Sequence, residues 1–290
     1  MADTVSQVLA RDEIILCDGA FGTMLQAAGL PPGTIPEAWN AENPDAVAAV
    51  HRAYLEAGSR ILTANTFGGN RYRLADAGLL EQHDALNRLG IEIAKGVAGT
   101  SAWVGASIGP IGQLLEPLGT VSVAEVEAAY AAQIAIVAAA GADIILIETQ
   151  HDIEEACAAV RAAKETTSLP VFCTFAFNAK GRTMMGLKPD EAAIRARDTG
   201  ADVVGANCGE GPAAVLAALQ GMKGATDLPL MAQANAGIPK ADAHGQASWD
   251  VTPEQMAEYV RSYIALGARV VGGCCGTTPA HIAAIAAMLA

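Results

Sequence analysis

Short apolar runs punctuate this chain at nearly even intervals, and that rhythm limits the fold more than any other feature. The runs are Ile14-Ile15-Leu16, Arg60-Ile61-Leu62-Thr63, Trp103-Val104-Gly105-Ala106, Ile144-Ile145-Leu146-Ile147, Val171-Phe172-Cys173-Thr174, Val203-Val204-Gly205-Ala206, Leu230-Met231-Ala232-Gln233 and Arg269-Val270-Val271-Gly272. They read as strands, and a spacing of roughly 30 to 40 residues is what a strand plus a crossover helix requires. Ala-rich stretches fill the gaps. Over Ser122–Ala140 the spacing predicts a helix with Ser122 as cap, Glu125 as its capping-box partner and Gly141 as its stop. Thr252-Pro253-Glu254 opens another, with proline at the first helical position, and Asp152–Lys164 and Pro189–Asp198 read as helices too. "AGS" at Ala57, "AGA" at Ala140, "TGA" at Thr199 and "LGA" at Leu266 each precede a strand and read as helix ends. Eight such units in 290 residues predict an α/β protein, a (β/α)8 TIM barrel forming a single domain over residues 1–290. A doubly wound sheet fits less well, because no Gly-x-Gly-x-x-Gly follows the first strand.

Composition narrows the function classes. The net charge is -13, which argues against nucleic acid and against anionic membrane surfaces as partners. No apolar run reaches the ~18 residues of a membrane span. The first twenty residues lack a basic start followed by a long apolar core, so no export signal is expected and a cytoplasmic location is. The six cysteines (Cys17, Cys157, Cys173, Cys208, Cys274 and Cys275) do not form a secreted disulfide framework.

In a barrel the C-terminal strand ends share one face, where active sites are built. Those ends carry Asp18, Asn65, Ser107, Glu148, Asn207-Cys208, Asn235 and Cys274-Cys275. Adjacent cysteines rarely bond to each other, since the ring they close is strained. Three thiolates suit zinc, and three protein ligands with an open fourth position is a catalytic layout. Cys17 is set apart, because alternation along a strand points it away from Asp18. A thiolate-rich zinc is better suited to receiving a soft substrate thiol than to making hydroxide, and it would lower that thiol's pKa.

These residues stand in motifs that resemble the zinc-dependent homocysteine S-methyltransferases over nearly the whole chain. The motifs are "DGAFGTMLQ" from Asp18, "NTFGGN" from Asn65, "IGPIG" from Ile108, "IET" from Ile147, "GANC" from Gly205, "NAG" from Asn235 and "GGCCGTTPAHI" from Gly272. The likeness is nearest to the homocysteine-binding module of cobalamin-dependent methionine synthase. It implies Cys208, Cys274 and Cys275 as zinc ligands, and Asp18 and Glu148 as contacts for the homocysteine amino group, with Asn235 in the same pocket. It also implies methyl transfer to homocysteine to give methionine. The methyl would come from a small donor or from a methylated corrinoid supplied by a separate partner protein. Where the methionine-synthase branch shows a Thr-Gly pair after strand five, this chain has Met185, so different pocket contacts are expected there.

Plainer readings stand beside these. Asp18 and Glu148 can serve as helix caps, and Asn207 and Asn235 as turn formers. Phe21 and Phe67 can wall a pocket or pack in the core. Cys157 and Cys173 read as buried thiols and Met184-Met185 as packing. Asp242-Ala243-His244-Gly245 has a partial likeness to a corrinoid-binding signature but a misplaced later glycine, and reads as a polar loop. Two other functions compete with methyl transfer: a non-catalytic zinc module in a larger complex, and a thiol redox protein using Cys274-Cys275.

Overall fold

All eight expected strands form, as β1 Ile15–Leu16, β2 Ile61–Ala64, β3 Trp103–Ile108, β4 Ile144–Gln150, β5 Val171–Phe175, β6 Val203–Cys208, β7 Leu230–Ala234 and β8 Ala268–Gly273. The computed structural model describes residues 3–241 and 247–290, so the segment Asp242-Ala243-His244-Gly245 lies outside the described residues. Every pairing in the main sheet is parallel, in the order β1-β8-β7-β6-β5-β4-β3-β2. A bridge between Cys17 and Ile61 brings the two ends of that order together. Two backbone bonds hold the seam, Asp18 N–H to Ile61 O at 3.1 Å and Arg60 N–H to Leu16 O at 2.7 Å. The result is the expected (β/α)8 barrel, with the unpaired edges of an open sheet removed by closure.

The side chains sort into two cores because successive strand residues face opposite ways. Ile15, Cys17, Ile61, Ile144, Leu146, Phe172, Val203, Met231 and Val270 fill the barrel interior. The short helix Val5–Leu9, capped by Thr4 and Gln7, adds Val5 and Val8 to that cluster at the strands' N-terminal ends. The alternate residues, among them Leu16, Leu62, Ile145, Ile147, Val204 and Val271, pack outward under the helices.

The local expectations are met by physical contacts. Ser122 accepts from the Glu125 amide at 3.3 Å, and Glu125 accepts from the Ser122 amide at 2.9 Å, over the helix Val123–Ala139. Gly58, Gly141, Gly200 and Gly267 follow four helices with φ of 106°, 100°, 115° and 106°, a left-handed turn that only glycine takes without strain. That turn delivers the chain into β2, β4, β6 and β8.

Candidate active site

At the C-terminal face the strand ends surround a cavity of about 500 Å³. The "GGCCGTT" stretch builds one wall. β8 ends at Gly273, so Cys274 and Cys275 lie beyond the strand, in a turn rather than in alternating strand positions. The turn is closed by Thr277, whose amide and hydroxyl both donate to Cys274 O, at 3.1 and 2.8 Å. The glycines answer to close approaches. A side chain at Gly272 would strike Cys17 and the Asp18 carbonyl, one at Gly273 would strike Thr277, and one at Gly276 would enter the Trp249 ring. Pro279 then starts the last helix, with Thr278 and His281 as its capping pair.

Cys208 ends β6 with φ 55°, a left-handed conformation that is costly for any side chain but glycine and asparagine. The sulfurs of Cys208, Cys274 and Cys275 all lie within 4.8 Å of one another, and each residue is half-buried and lines the cavity. They form the only such ligand group among the described residues. Without metal the trio shares its protons. Cys274 and Cys275 donate to Cys208, pulling its thiol down to about 3, while Cys275 is pushed up to about 12 and Cys274 is also raised well above the ordinary thiol range. Three sulfurs this close titrate as a coupled unit rather than singly. All six cysteines are free, and Cys17 packs in the barrel interior, outside the trio.

Glu148 is buried and lines the cavity. It sits at an irregularity in β4: Ile147 pairs with Cys173 and Gln150 with Phe175, so Glu148 and Thr149 together oppose a single residue of β5. Thr149 has φ 62° there. Ser107 donates its hydroxyl to Glu148 Oε1, and Asn207 donates to Oε2 at 3.3 Å. Burial, with Asp18 and Cys208 adding like charge, pushes the Glu148 carboxyl up to about 7.

Asp18 is fully buried and also raised to about 7, mainly by burial. It accepts from the Thr63 amide at 2.6 Å and the Thr63 hydroxyl at 2.7 Å, and it is Thr63 that lines the cavity. Neither carboxylate is a helix cap. The helix Gly22–Ala27 begins at Phe21, and Asp152 caps Ile153–Thr166. Asn235 is outside the cavity lining. Its Nδ2 donates to Gly209 O at 2.8 Å and it helps to hold the Cys208 sulfur as a thiolate.

Two readings from sequence need correction. Asn207 is not a turn former but a fully buried hub. Its Oδ1 accepts from the Thr149 amide and the Thr174 hydroxyl, both at 2.8 Å, and its Nδ2 donates to Thr149 Oγ1 at 2.8 Å. Met184 and Met185 are exposed rather than packed, and neither lines the cavity. Phe21 and Phe67 both line it, and so do two residues the sequence gave no reason to single out, Glu37 and Arg73.

Comparison with known proteins agrees with this geometry. The family model for homocysteine S-methyltransferase matches residues 15–289. A methionine synthase of Mycobacterium tuberculosis is 33% identical over 308 aligned positions, covering 100% of this chain and 25% of that protein. One from Mycobacterium leprae is 32% identical, covering 96% of this chain and 24% of that protein. The chain therefore spans about a quarter of the length of these relatives. The metallated form of the homocysteine methyltransferase MmuM from Escherichia coli superposes with a TM-score of 0.83 at 26% identity, covering 98% of this chain and 99% of that one. By its sequence along nearly its whole length, and by a barrel whose strand ends gather three thiols around one cavity, the chain belongs to the homocysteine S-methyltransferase family.

Proposed function

We propose that this protein transfers a methyl group to the sulfur of homocysteine, giving methionine, with Cys208, Cys274 and Cys275 as the ligands of a zinc ion. The observation that carries the reading is the sulfur trio on the wall of the same cavity as Glu148. The donor set fits the ion: sulfurs bound tetrahedrally at ~2.3 Å stand about 3.8 Å apart, within the span of this cluster. Zinc supplies a Lewis acid that keeps a substrate thiol ionised at neutral pH.

The rest of the chemistry belongs to this chain's own residues. Glu148, held by Ser107 and Asn207, takes the ammonium group of the amino acid. Asp18 adds a second negative charge behind Thr63, and an ammonium entering beside the two would draw both carboxyls back toward their ionised forms. Phe21 and Phe67 exclude water from the sulfur. Asn235 steadies Cys208. Attack on a methyl group needs this positioning more than it needs an acid or a base.

The likeness to the homocysteine methyltransferase MmuM supports homocysteine as the acceptor, and one reading pairs it with a small methyl donor. The methionine synthase relatives, of which this chain spans a quarter, support a second reading, a homocysteine-activating unit that receives methyl from a corrinoid partner. A reducing cytoplasm suits either, because six free cysteines persist there. Among the described residues no helix is long and apolar enough to cross a membrane. The test is a donor screen on zinc-loaded protein with homocysteine, using S-methylmethionine, S-adenosylmethionine, betaine, methyltetrahydrofolate and methylcobalamin. Methionine formed from one of them supports the reading. Intact zinc and no turnover with any donor leaves a non-catalytic zinc module.

A further inference from the structure

The backbone pairing at the barrel mouth continues past the ends of β7 and β8. The Cys274 amide donates to Ala234 O at 2.8 Å, and the Ala236 amide to Cys275 O at 2.9 Å. A third stretch of chain joins them: the Val251 amide donates to Ala236 O at 3.0 Å, just before the helix Pro253–Ala265. The Val251 carbonyl is held as well. His281 Nδ1 accepts from the Thr278 amide at 3.1 Å, so the ring proton sits on Nε2, which donates to Val251 O at 3.0 Å. One imidazole therefore caps the last helix and ties Val251 to the element that follows Cys274 and Cys275.

These tethers set Trp249 down on Gly276. The ring atoms nearest to where a Gly276 side chain would stand are Cδ2, Cγ and Cε2, the middle of the indole. Cδ2 carries no hydrogen, so the glycine meets the face of the ring and not its edge. Bare backbone alone allows this approach, and Gly276 also takes φ 78°, where other residues are strained. Trp39 and Trp103 are core residues, but Trp249 is half-buried and belongs to neither apolar core. Neither Trp249 nor Gly276 lines the cavity, whereas Gly273, Cys274 and Cys275 do. The indole thus meets the cysteine turn on the side away from the substrate. A large apolar ring laid on bare backbone beside a thiol ligand keeps water from that side of it. Thiolates shielded from water hold a cation more firmly, because screening falls and a competing ligand or proton has no path in.

We propose that Trp249 is the outer shield of the zinc turn and sets how fast the metal is lost. It touches no substrate and acts on the cysteines through the backbone it covers. The inference rests on the reading of Cys208, Cys274 and Cys275 as zinc ligands.

The test is the rate of zinc transfer to the chromogenic chelator pyridylazoresorcinol, with and without saturating homocysteine. Zinc-loaded wild type is compared with Trp249→Phe, Trp249→Leu and Trp249→Ala. The alanine variant should lose zinc about tenfold faster or more, the scale of a missing outer-shell group, with leucine between and phenylalanine within about threefold of wild type. The ranking should persist with homocysteine, because the substrate closes only the cavity side. Calorimetric homocysteine affinity of the zinc-loaded variants should stay within about twofold of wild type. Should the alanine variant not fold, the step from phenylalanine to leucine carries the same comparison. Rates indifferent to residue 249 overturn the inference and leave the zinc reading standing. A ranking that follows the denaturant midpoints of the metal-free variants, or that comes with an equal loss of homocysteine affinity, overturns it too, since either marks a structural role. A wild type that takes up no zinc removes the zinc reading, and this inference with it.

Discussion

Asn207 donates to Glu148 Oε2 at 3.3 Å from the end of a neighbouring part of the barrel, and the same nitrogen lies 4.0 Å from Cys274 Sγ. One amide thus spans the proposed amino-acid pocket and the thiol cluster. It also fastens the β4 irregularity, because its Oδ1 takes the Thr149 amide that the sheet leaves unpaired there. Asn207→Ala would bury that N–H without a partner and release a strained φ of 62° at Thr149. The expected cost is about 1–3 kcal/mol of stability in denaturant unfolding. Homocysteine affinity should fall while zinc content stays near one per chain. Zinc loss as complete as in a cysteine variant would instead place Asn207 in the support of the cluster.

The metal-free cluster predicts how zinc enters. Its two neighbours pull the Cys208 thiol toward its ionised form, whereas Cys274 and Cys275 are pushed up and favour their protonated forms. Loading zinc at pH 7 should therefore release about two protons rather than three, read by calorimetry in buffers of different ionisation enthalpy. Cys208→Ala, Cys274→Ala and Cys275→Ala should each lose the metal. Full zinc retention by any one of them takes that residue out of the ligand set.

Much of this was legible in the residues, and the remainder fails for identifiable reasons. The strands are visible because each is a continuous apolar run, and the helix ends because Gly58, Gly141, Gly200 and Gly267 take a conformation other residues avoid. The sulfur trio is visible because the ends of β6 and β8 share a face. Depth is not visible. Alternation separates Asp18 from Cys17, but nothing in the sequence places Asp18 behind Thr63 instead of on the cavity wall. Asn207 looked like a turn former because its partners, Glu148, Thr149 and Thr174, come from two other strands. Glu37 was missed because it sits in a one-turn segment far from any strand end, and its place in the cavity wall depends on the loop after β2 folding over it.

The two buried carboxyls predict a pH dependence of stability. Asp18 and Glu148 are raised to about 7 when folded, against ordinary values of ~3.9 and ~4.3 when unfolded. Between those limits the folded protein binds more protons than the unfolded chain. Their contribution is therefore full below about pH 4 and is lost as pH rises through about 7. The depressed Cys208 thiol acts in the opposite sense over an overlapping range, so the informative quantity is a difference. In metal-free protein, wild type should lose stability relative to Glu148→Gln as pH rises from 4 to 7, by on the order of 3 kcal/mol in denaturant titrations. Parallel stability curves for the two proteins would show that Glu148 ionises without hindrance.

The last prediction concerns activation of the acceptor. If the cysteine-bound zinc holds homocysteine as a thiolate, a thiol of ordinary pKa ~8.5 must lose its proton on binding at pH 7. The raw count will exceed one, because an ammonium arriving beside Glu148 and Asp18 also drives protons off those carboxyls. Methionine separates the two sources: it brings the same ammonium group but a methylated sulfur with no proton to lose. Proton release for homocysteine minus that for methionine should come to about one per site near pH 7. In Glu148→Gln both counts should drop while the difference persists. X-ray absorption at the zinc edge should show a fourth sulfur at ~2.3 Å with homocysteine and a weaker or absent one with methionine. Equal proton release for the two ligands, with no added sulfur at the metal, would remove thiolate formation from the mechanism even in a protein whose three cysteines hold zinc.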